Sequence, residues 1–445
     1  MLDPRAYRRP PNGTLHPPAD EQRPPATAAP QDPAPKSGKP AIRRGFLRAR
    51  TALAALGPAL VVGVAYVDPG NFATNMTAGS RYGPLLLWVI VLANLMAMFV
   101  QYLACKVGVA TGQDLPELCR SHAPRGVTYG LWLQAELVTM ATDLAEFVGG
   151  AVALHLLFGL PLLPAALIVA GSSLLLLILA PEGRRRFEMV TALLLLVLVL
   201  GFAYQFVRAG SWHGALSGMR PGLAGSDSLV LAAGIIGATV MPHVIYLQSS
   251  IGKLPRGTSW NVKQRALRTH RTSLMVALGL AGVVNAGMLT LAAVTLHDTR
   301  PGSESLDGFH AGLGAVLGPG AGLAFALALL AAGLASAGVG TYAGQVIMRG
   351  FLRRRVPLTA RRLLTMAPPL ALLATGMDPT QALVLSQVVL AFGIPFALAP
   401  LLWFTARRNL MGPMTNRAVT TGCAVLICGA ISALNLFLVG RLLMD

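Results

Sequence analysis

Charge is what this sequence has least of. Only 12% of its 445 residues are Asp, Glu, Lys or Arg, where a soluble domain carries about a quarter, so an ordinary water-soluble fold is excluded. Lysine is rarer still, since arginine supplies 31 of the 36 basic residues. The four cysteines, Cys105, Cys119, Cys423 and Cys428, form no CxxC pair. Cys423 and Cys428 are too far apart, and too clearly within a helical run, for a zinc or redox motif; all four are expected as small buried residues. A GxxxxGK[ST] stretch is also missing, so nucleotide-powered work is not indicated. Residues 1–45 are Pro-rich, polar and basic without a compact apolar stretch. They read as a disordered cytoplasmic tail rather than a secretory signal, ahead of one membrane domain at 46–445.

What is abundant is apolar length. Hydrophobic residues make up 54% of the chain and the mean hydropathy is +0.60. Runs of about 18 or more apolar residues recur along it, the signature of an all-α polytopic membrane protein. Eleven spans are predicted: 51–80, 84–107, 127–157, 161–180, 187–207, 228–251, 272–296, 320–348, 363–376, 379–405 and 418–440. With the N-terminus inside, the inner loops hold 21 basic residues, Arg361 and Arg362 among them, and the outer loops and C-terminus hold 5. The positive-inside bias therefore predicts a cytoplasmic N-terminus and an outer C-terminus. It also explains the net charge of +18 by orientation and contact with anionic lipid, and no nucleic-acid partner is needed.

Two spans are interrupted. In "AYVDPGNFAT" (65–74) and "GATVMPHVIYLQSS" (237–250) a proline falls mid-run. Proline has no N–H to donate four residues back, so Pro69 frees the carbonyl of Ala65 and Pro242 that of Ala238. Lipid cannot satisfy a bare carbonyl, and such breaks survive only where protein encloses them or a cavity runs past them. They fall in spans one and six, corresponding positions if spans 1–5 and 6–10 are repeats, which is where transporters built from inverted repeats bind substrate. Asp68 and Asn71 add hard oxygen donors and Met241 a soft thioether. Oxygen alone suits Mg²⁺ or Ca²⁺, whereas one sulfur turns the set toward Mn²⁺ or Fe²⁺, with Cd²⁺ and Co²⁺ admitted.

Four acids lie well inside the spans, away from their ends: Asp68, Glu136, Asp143 and Glu146. A charge in a membrane helix is costly enough to be a functional hypothesis by default. At 100° per residue, Asp143 lies about 20° and Glu146 about 80° from Glu136 around span three, so the three make one polar stripe. His243 follows Pro242 in the second break and titrates in the range needed for proton traffic. A metal that selects ionised Asp68 releases its proton, and the stripe offers that proton a route.

These stretches together resemble the Nramp family of divalent-metal transporters, in its bacterial proton-dependent manganese type. The likeness is carried by "DPGNFATNMTAGSRYG", "WLQAELVTMATDLAEFVGG", "GATVMPHVIYLQSS", "VGTYAGQVIMRGF", "RRLLTMAPP" and "LSQVVLAFGIPFALAPLL", and extends from about residue 50 to the end. The resemblance implies a LeuT-like fold of two inverted five-helix repeats plus an eleventh helix. It implies metal held by Asp68, Asn71, Met241 and the carbonyls of Ala65 and Ala238. It also places Asp68, Glu136, Asp143, Glu146, His243 and the pair Arg361 and Arg362 in a proton-carrying network. Gln248 replaces a histidine common in relatives, and Gly393 stands where some relatives carry a glutamine ligand; Gln387, in the "LSQ" motif, is not assigned as a ligand.

The function expected is a proton-coupled symporter importing Mn²⁺ and Fe²⁺ by alternating access in a bacterial inner membrane. Metal ion and proton are its co-substrates and the bilayer its setting; no cofactor, enzymatic activity or obligate protein partner is inferred. The competing readings are a LeuT-fold symporter for a small organic solute, a carrier of a hard cation such as Mg²⁺, and a channel or sensor. Asp68 and Met241 count against the first, and Met241 against the second.

Overall fold

The computed structural model describes residue 63 and residues 65–179, 184–210, 214–297, 304–353 and 357–444. The tail at 1–45 and most of the first half of span one lie outside these. The longer elements are helices, and no strand occurs among the described residues. They are α1 (Pro69–Tyr82), α2 (Leu87–Thr111), α3 (Leu115–His122), α4 (Arg125–Phe158), α5 (Leu162–Leu179), α6 (Arg184–Ala209), α7 (Gly225–Val240) and α8 (Pro242–Ile251). After these come α9 (Trp260–Thr295), α10 (Leu306–Leu317), α11 (Pro319–Leu352), α12 (Leu358–Ala374), α13 (Pro379–Thr405), α14 (Arg408–Met411) and α15 (Ala418–Met444).

Eight apolar stretches among the described residues are long enough to cross a membrane, with α1 and α2 forming one of them; the expected count of eleven is not established. The ninth expected span shows why composition and architecture part company. It begins at Leu358 rather than 363, so its first turn includes Arg361 and Arg362, and it carries Pro368 and Pro369 inside. Two cations and two prolines in 17 residues do not read as a span, yet the helix is built.

The interrupted segment 225–251 is the most enclosed stretch, with 83% of its apolar window buried, whereas α15 has 17%. Leu426 and Leu436 on α15 are largely uncovered by protein, as a lipid-facing surface requires. Helix α4 packs against α11 and α13, while α1 lies between α9 and α7. Two glycines set these approaches. A Cβ at Gly149 of α4 would collide with the ring of Pro69, and one at Gly237 of α7 would collide with the main-chain oxygen of Gln387 on α13. Both helix pairs therefore close to backbone distance right beside the two breaks.

The cysteines divide. Cys105 and Cys119 are buried as expected, but Cys423 is exposed and Cys428 partly so, because both sit on the poorly covered α15.

Candidate functional site

Both breaks are present in the structure. Asp68 is extended (φ −87°, ψ 169°) and N-caps α1, with Pro69 as the first helical residue, where its missing N–H costs nothing. Met241 separates α7 from α8 with φ 43°, a conformation few non-glycine residues adopt, and Pro242 opens α8. The backbone groups left over are met by side chains from elsewhere. Asn285 of α9 donates to the Tyr66 carbonyl at 2.9 Å, Gln101 of α2 to the Val240 carbonyl at 3.3 Å, and Asn71 to the Ala238 carbonyl at 3.2 Å. None of these partners was assigned from sequence except Asn71.

Asp68, Asn71 and Ala238 meet directly. One carboxylate oxygen of Asp68 accepts from the Asn71 backbone N–H at 2.9 Å and from its side-chain amide at 2.8 Å. The same amide nitrogen reaches Ala238 O, so it bridges two oxygens that a cation could bridge instead. The second oxygen of Asp68 and the amide oxygen of Asn71 have no hydrogen-bond partner among the described residues. Met241, Ala238 and Ala65 are buried at the same two breaks. Among the described residues no cluster of three His, Cys, Asp or Glu side chains occurs, so any metal here takes a mixed donor set with a single carboxylate. Helix α7 also points its C-terminal end, the negative end of its dipole, at the break.

Gln387 was set aside in the sequence, and the structure brings it here. Its side chain lies against Cα of Gly70, where any Cβ would overlap it, and its amide oxygen is buried without a partner among the described residues. Gly393, by contrast, fits against Val138, Gln134 and Pro242 with no room for a side chain.

The polar stripe of α4 is an ion-pair network. Arg361 donates from both terminal nitrogens to the two oxygens of Glu136, at 3.0 and 2.8 Å. Arg362 donates to Asp143 and, at 3.3 Å, to Glu146, and its guanidinium lies 4.5 Å from the centre of the Phe147 ring. Both arginines are buried, Arg362 at 1% exposure; counting them as loop charges was incorrect. Gly340 and Gly344 of α11 make the space, since a Cβ on either would press on Glu146 or Arg361 respectively. His243 joins through Thr142, its Nδ1 3.2 Å from the hydroxyl. Glu146 sits one helical turn before Gly149, the residue touching Pro69, so the network abuts the first break. Gln248 is buried and carries no ionisable group into it.

A helical membrane protein with two facing helix breaks and a buried polar network between them is a transporter of the LeuT-like fold. The chain aligns with Mhp1, a nucleobase-cation-symport-1 family transporter, at TM-score 0.59 over 82% of each chain with 16% identity, a likeness of fold alone. It superposes on the Eremococcus coleocola manganese transporter at TM-score 0.79 and 33% identity, covering 87% of this chain and 86% of that one. The family profile described as natural resistance-associated macrophage protein-like, Nramp, matches residues 59–441. Among its relatives are the divalent metal cation transporters MntH of Bacillus subtilis, 45% identical over 89% of this chain and 93% of the relative, and of Deinococcus radiodurans, 47% identical over 88% and 91%. The chain belongs to the Nramp family and is a multi-pass divalent metal cation transporter.

Proposed function

We propose that the protein imports Mn²⁺ and Fe²⁺ together with protons across a bacterial plasma membrane, with its N-terminus cytoplasmic and its C-terminus outside. The metal binds between the breaks on Asp68, Asn71, Met241 and the carbonyls of Ala65 and Ala238. Gln387 stands ready as a further oxygen donor. The carrying observation is the buried Asn71 amide bridging Asp68 and the Ala238 carbonyl: two oxygen acceptors converge on one neutral amide. When metal enters, Asn71 turns its amide oxygen inward and the cation takes over the bridge. The thioether of Met241 disfavours hard ions.

The proton route follows from charge counting. Glu136 has its own arginine, but Asp143 and Glu146 share Arg362, which leaves one negative charge over among the described residues. A buried uncompensated carboxylate takes up a proton, and Glu146, with one oxygen lacking a partner among the described residues, is where it is held. Metal binding fixes Asp68 as a carboxylate, and its proton leaves past Glu146, with His243 and Thr142 linking the second break to the stripe. A LeuT-fold carrier of organic solutes lacks any use for Met241 and is not favoured.

Reconstitution into liposomes with a metal panel and an internal pH dye tests this reading. Mn²⁺ and Fe²⁺ should enter faster than Ca²⁺ and Mg²⁺ and acidify the lumen as they do. Equal rates for Mn²⁺ and Ca²⁺ overturn the metal assignment, and metal entry without acidification overturns the coupling.

A further inference from the structure

A cavity of about 400 Å³ opens between the C-terminal part of α2, the first turns of α9 and the connection from α14 into α15, and none of the residues assigned to the metal site lines it. Its wall carries four cations, Lys106, Arg268, Arg271 and Arg417, and no Asp or Glu among the described residues. On α9, Arg268 and Arg271 share a face with Trp260, since these positions are 8 and 3 residues apart. Lys106 is buried to 8% exposure, and its ammonium donates to Asn416 at 2.7 Å, which holds that charge toward the start of α15. There Arg417 precedes Ala418, the first residue of a 27-residue helix. First-turn N–H groups have no intrahelical acceptor and form the positive end of the dipole.

Four like charges and a helix N-terminus around one cavity are mutually repulsive until an anion enters it. The chemistry that suits them is a phosphate: guanidinium groups grip its oxygens in pairs, and a helix N-terminus is a ready acceptor of such an anion. The surroundings say where the phosphate comes from. Trp260 lines the cavity and is 42% exposed. Met275, one turn beyond Arg271, and Val419, next to Thr420 of the cavity wall, are also uncovered by protein. They give acyl chains an apolar surface beside the charged pocket.

We propose that this cavity binds the phosphate of an anionic phospholipid headgroup, clamping α2 to the start of α9 and α15. The site does not depend on the metal site. It is tested with the full-length protein in neutral detergent, by native mass spectrometry and thermal melting against phosphatidylglycerol, phosphatidylcholine and sodium phosphate. Phosphatidylglycerol should bind and raise the melting temperature, and phosphatidylcholine should do neither. Arg268→Gln with Arg271→Gln should weaken phosphatidylglycerol about thirtyfold, two basic groups at a lipid surface being lost. Arg256→Gln with Arg265→Gln, which removes two exposed charges that do not line the cavity, should change it less than about twofold, solvent-exposed charges without a direct contact contributing little. If sodium phosphate alone reproduces the stabilisation and phosphatidylglycerol adds nothing, the lipid source is overturned in favour of soluble phosphate. Equal phosphatidylglycerol affinity in the two double variants overturns the cavity as the site.

Discussion

Arg361 and Glu136 face each other end to end inside the protein, two parallel hydrogen bonds at 3.0 and 2.8 Å joining a guanidinium to a carboxylate. They are 225 residues apart in sequence, so the pair staples α12 to α4. One helix position further on, Arg362 is divided between two carboxylates. Among the described residues the first pair is one to one and the second sets two carboxylates against one guanidinium, and on the proposed proton route that asymmetry makes the second group the one that holds the proton.

Removing one side of the complete pair should therefore damage stability. Arg361→Ala leaves Glu136 buried without its cation, a loss of about 3–5 kcal/mol for a broken buried pair. Pairing Arg361→Met with Glu136→Leu should recover most of it. A double-mutant cycle of melting temperatures checks this; additive losses would show that the two residues do not act together.

Glu146→Gln should act differently. It removes the surplus charge without orphaning Arg362, which keeps Asp143. The protein should melt near the wild-type temperature while Mn²⁺ entry no longer acidifies liposomes. Unchanged acidification per metal would place the proton elsewhere.

A third prediction concerns close approach. Gly237→Ala forces a methyl against the Gln387 main-chain oxygen, and neither helix backbone can yield cheaply. Overpacking of this kind costs about 1–3 kcal/mol, and here it also wedges α7 from α13 at the break. Gly429→Ala on α15, where a Cβ meets nothing within 4 Å, is the control. The measurement is detergent-solubilised melting temperature together with Mn²⁺ uptake, and equal behaviour of the two variants would count against the close packing.

How much of this was readable in the chain depends on the range of the cause. Pro69 and Pro242 mark the breaks because proline acts on its own helix, and Asp68 and Asn71 could be read with them since they share a turn. The stripe on α4 was visible for the same reason, through helical period. Gln387, Asn285 and Gln101 were not, because each reaches a break more than 100 residues away in sequence and carries no local sign of doing so. Arg361 and Arg362 look like loop anchors by composition; only burial against α4 shows them as counter-ions. The expected count of eleven spans is not established; a helix does stand at the ninth expected span, but it begins at Leu358 and takes in Arg361 and Arg362.

The loop between α2 and α3 offers a test by pH. Lys253 donates to Asp114 at 3.0 Å and to Glu117 at 2.6 Å. Burial, and then the neighbouring charge of Glu117, push the Asp114 carboxyl above its ordinary value. For Glu117 burial is outweighed by the Lys253 hydrogen bond and the Asp114 N–H, which hold it below. A depressed carboxylate stabilises the fold above its unfolded pKa, about 4.3 for Glu, and that stability is lost as pH falls through the folded value. Asp114, raised, works in the opposite sense, and its strain is greatest when ionised. Lys253→Met should thus lower the melting temperature at pH 7, where both carboxylates need the cation. The deficit should shrink as the pH falls through the lowered folded value of Glu117, below which both carboxylates are protonated. A deficit independent of pH would mean that Lys253 acts by packing alone.

In the proposed reading, Met241 is the residue that sets cation selectivity. Uptake of Mn²⁺ into liposomes, measured against competing Ca²⁺ for wild type, Asp68→Ala and Met241→Ala, bears on the site most directly. Asp68→Ala should abolish Mn²⁺ entry, and Met241→Ala should keep much of it while Ca²⁺ becomes an effective competitor. Full Mn²⁺ uptake by Asp68→Ala, or an unchanged metal preference in Met241→Ala, would contradict the placement of the metal between the two breaks.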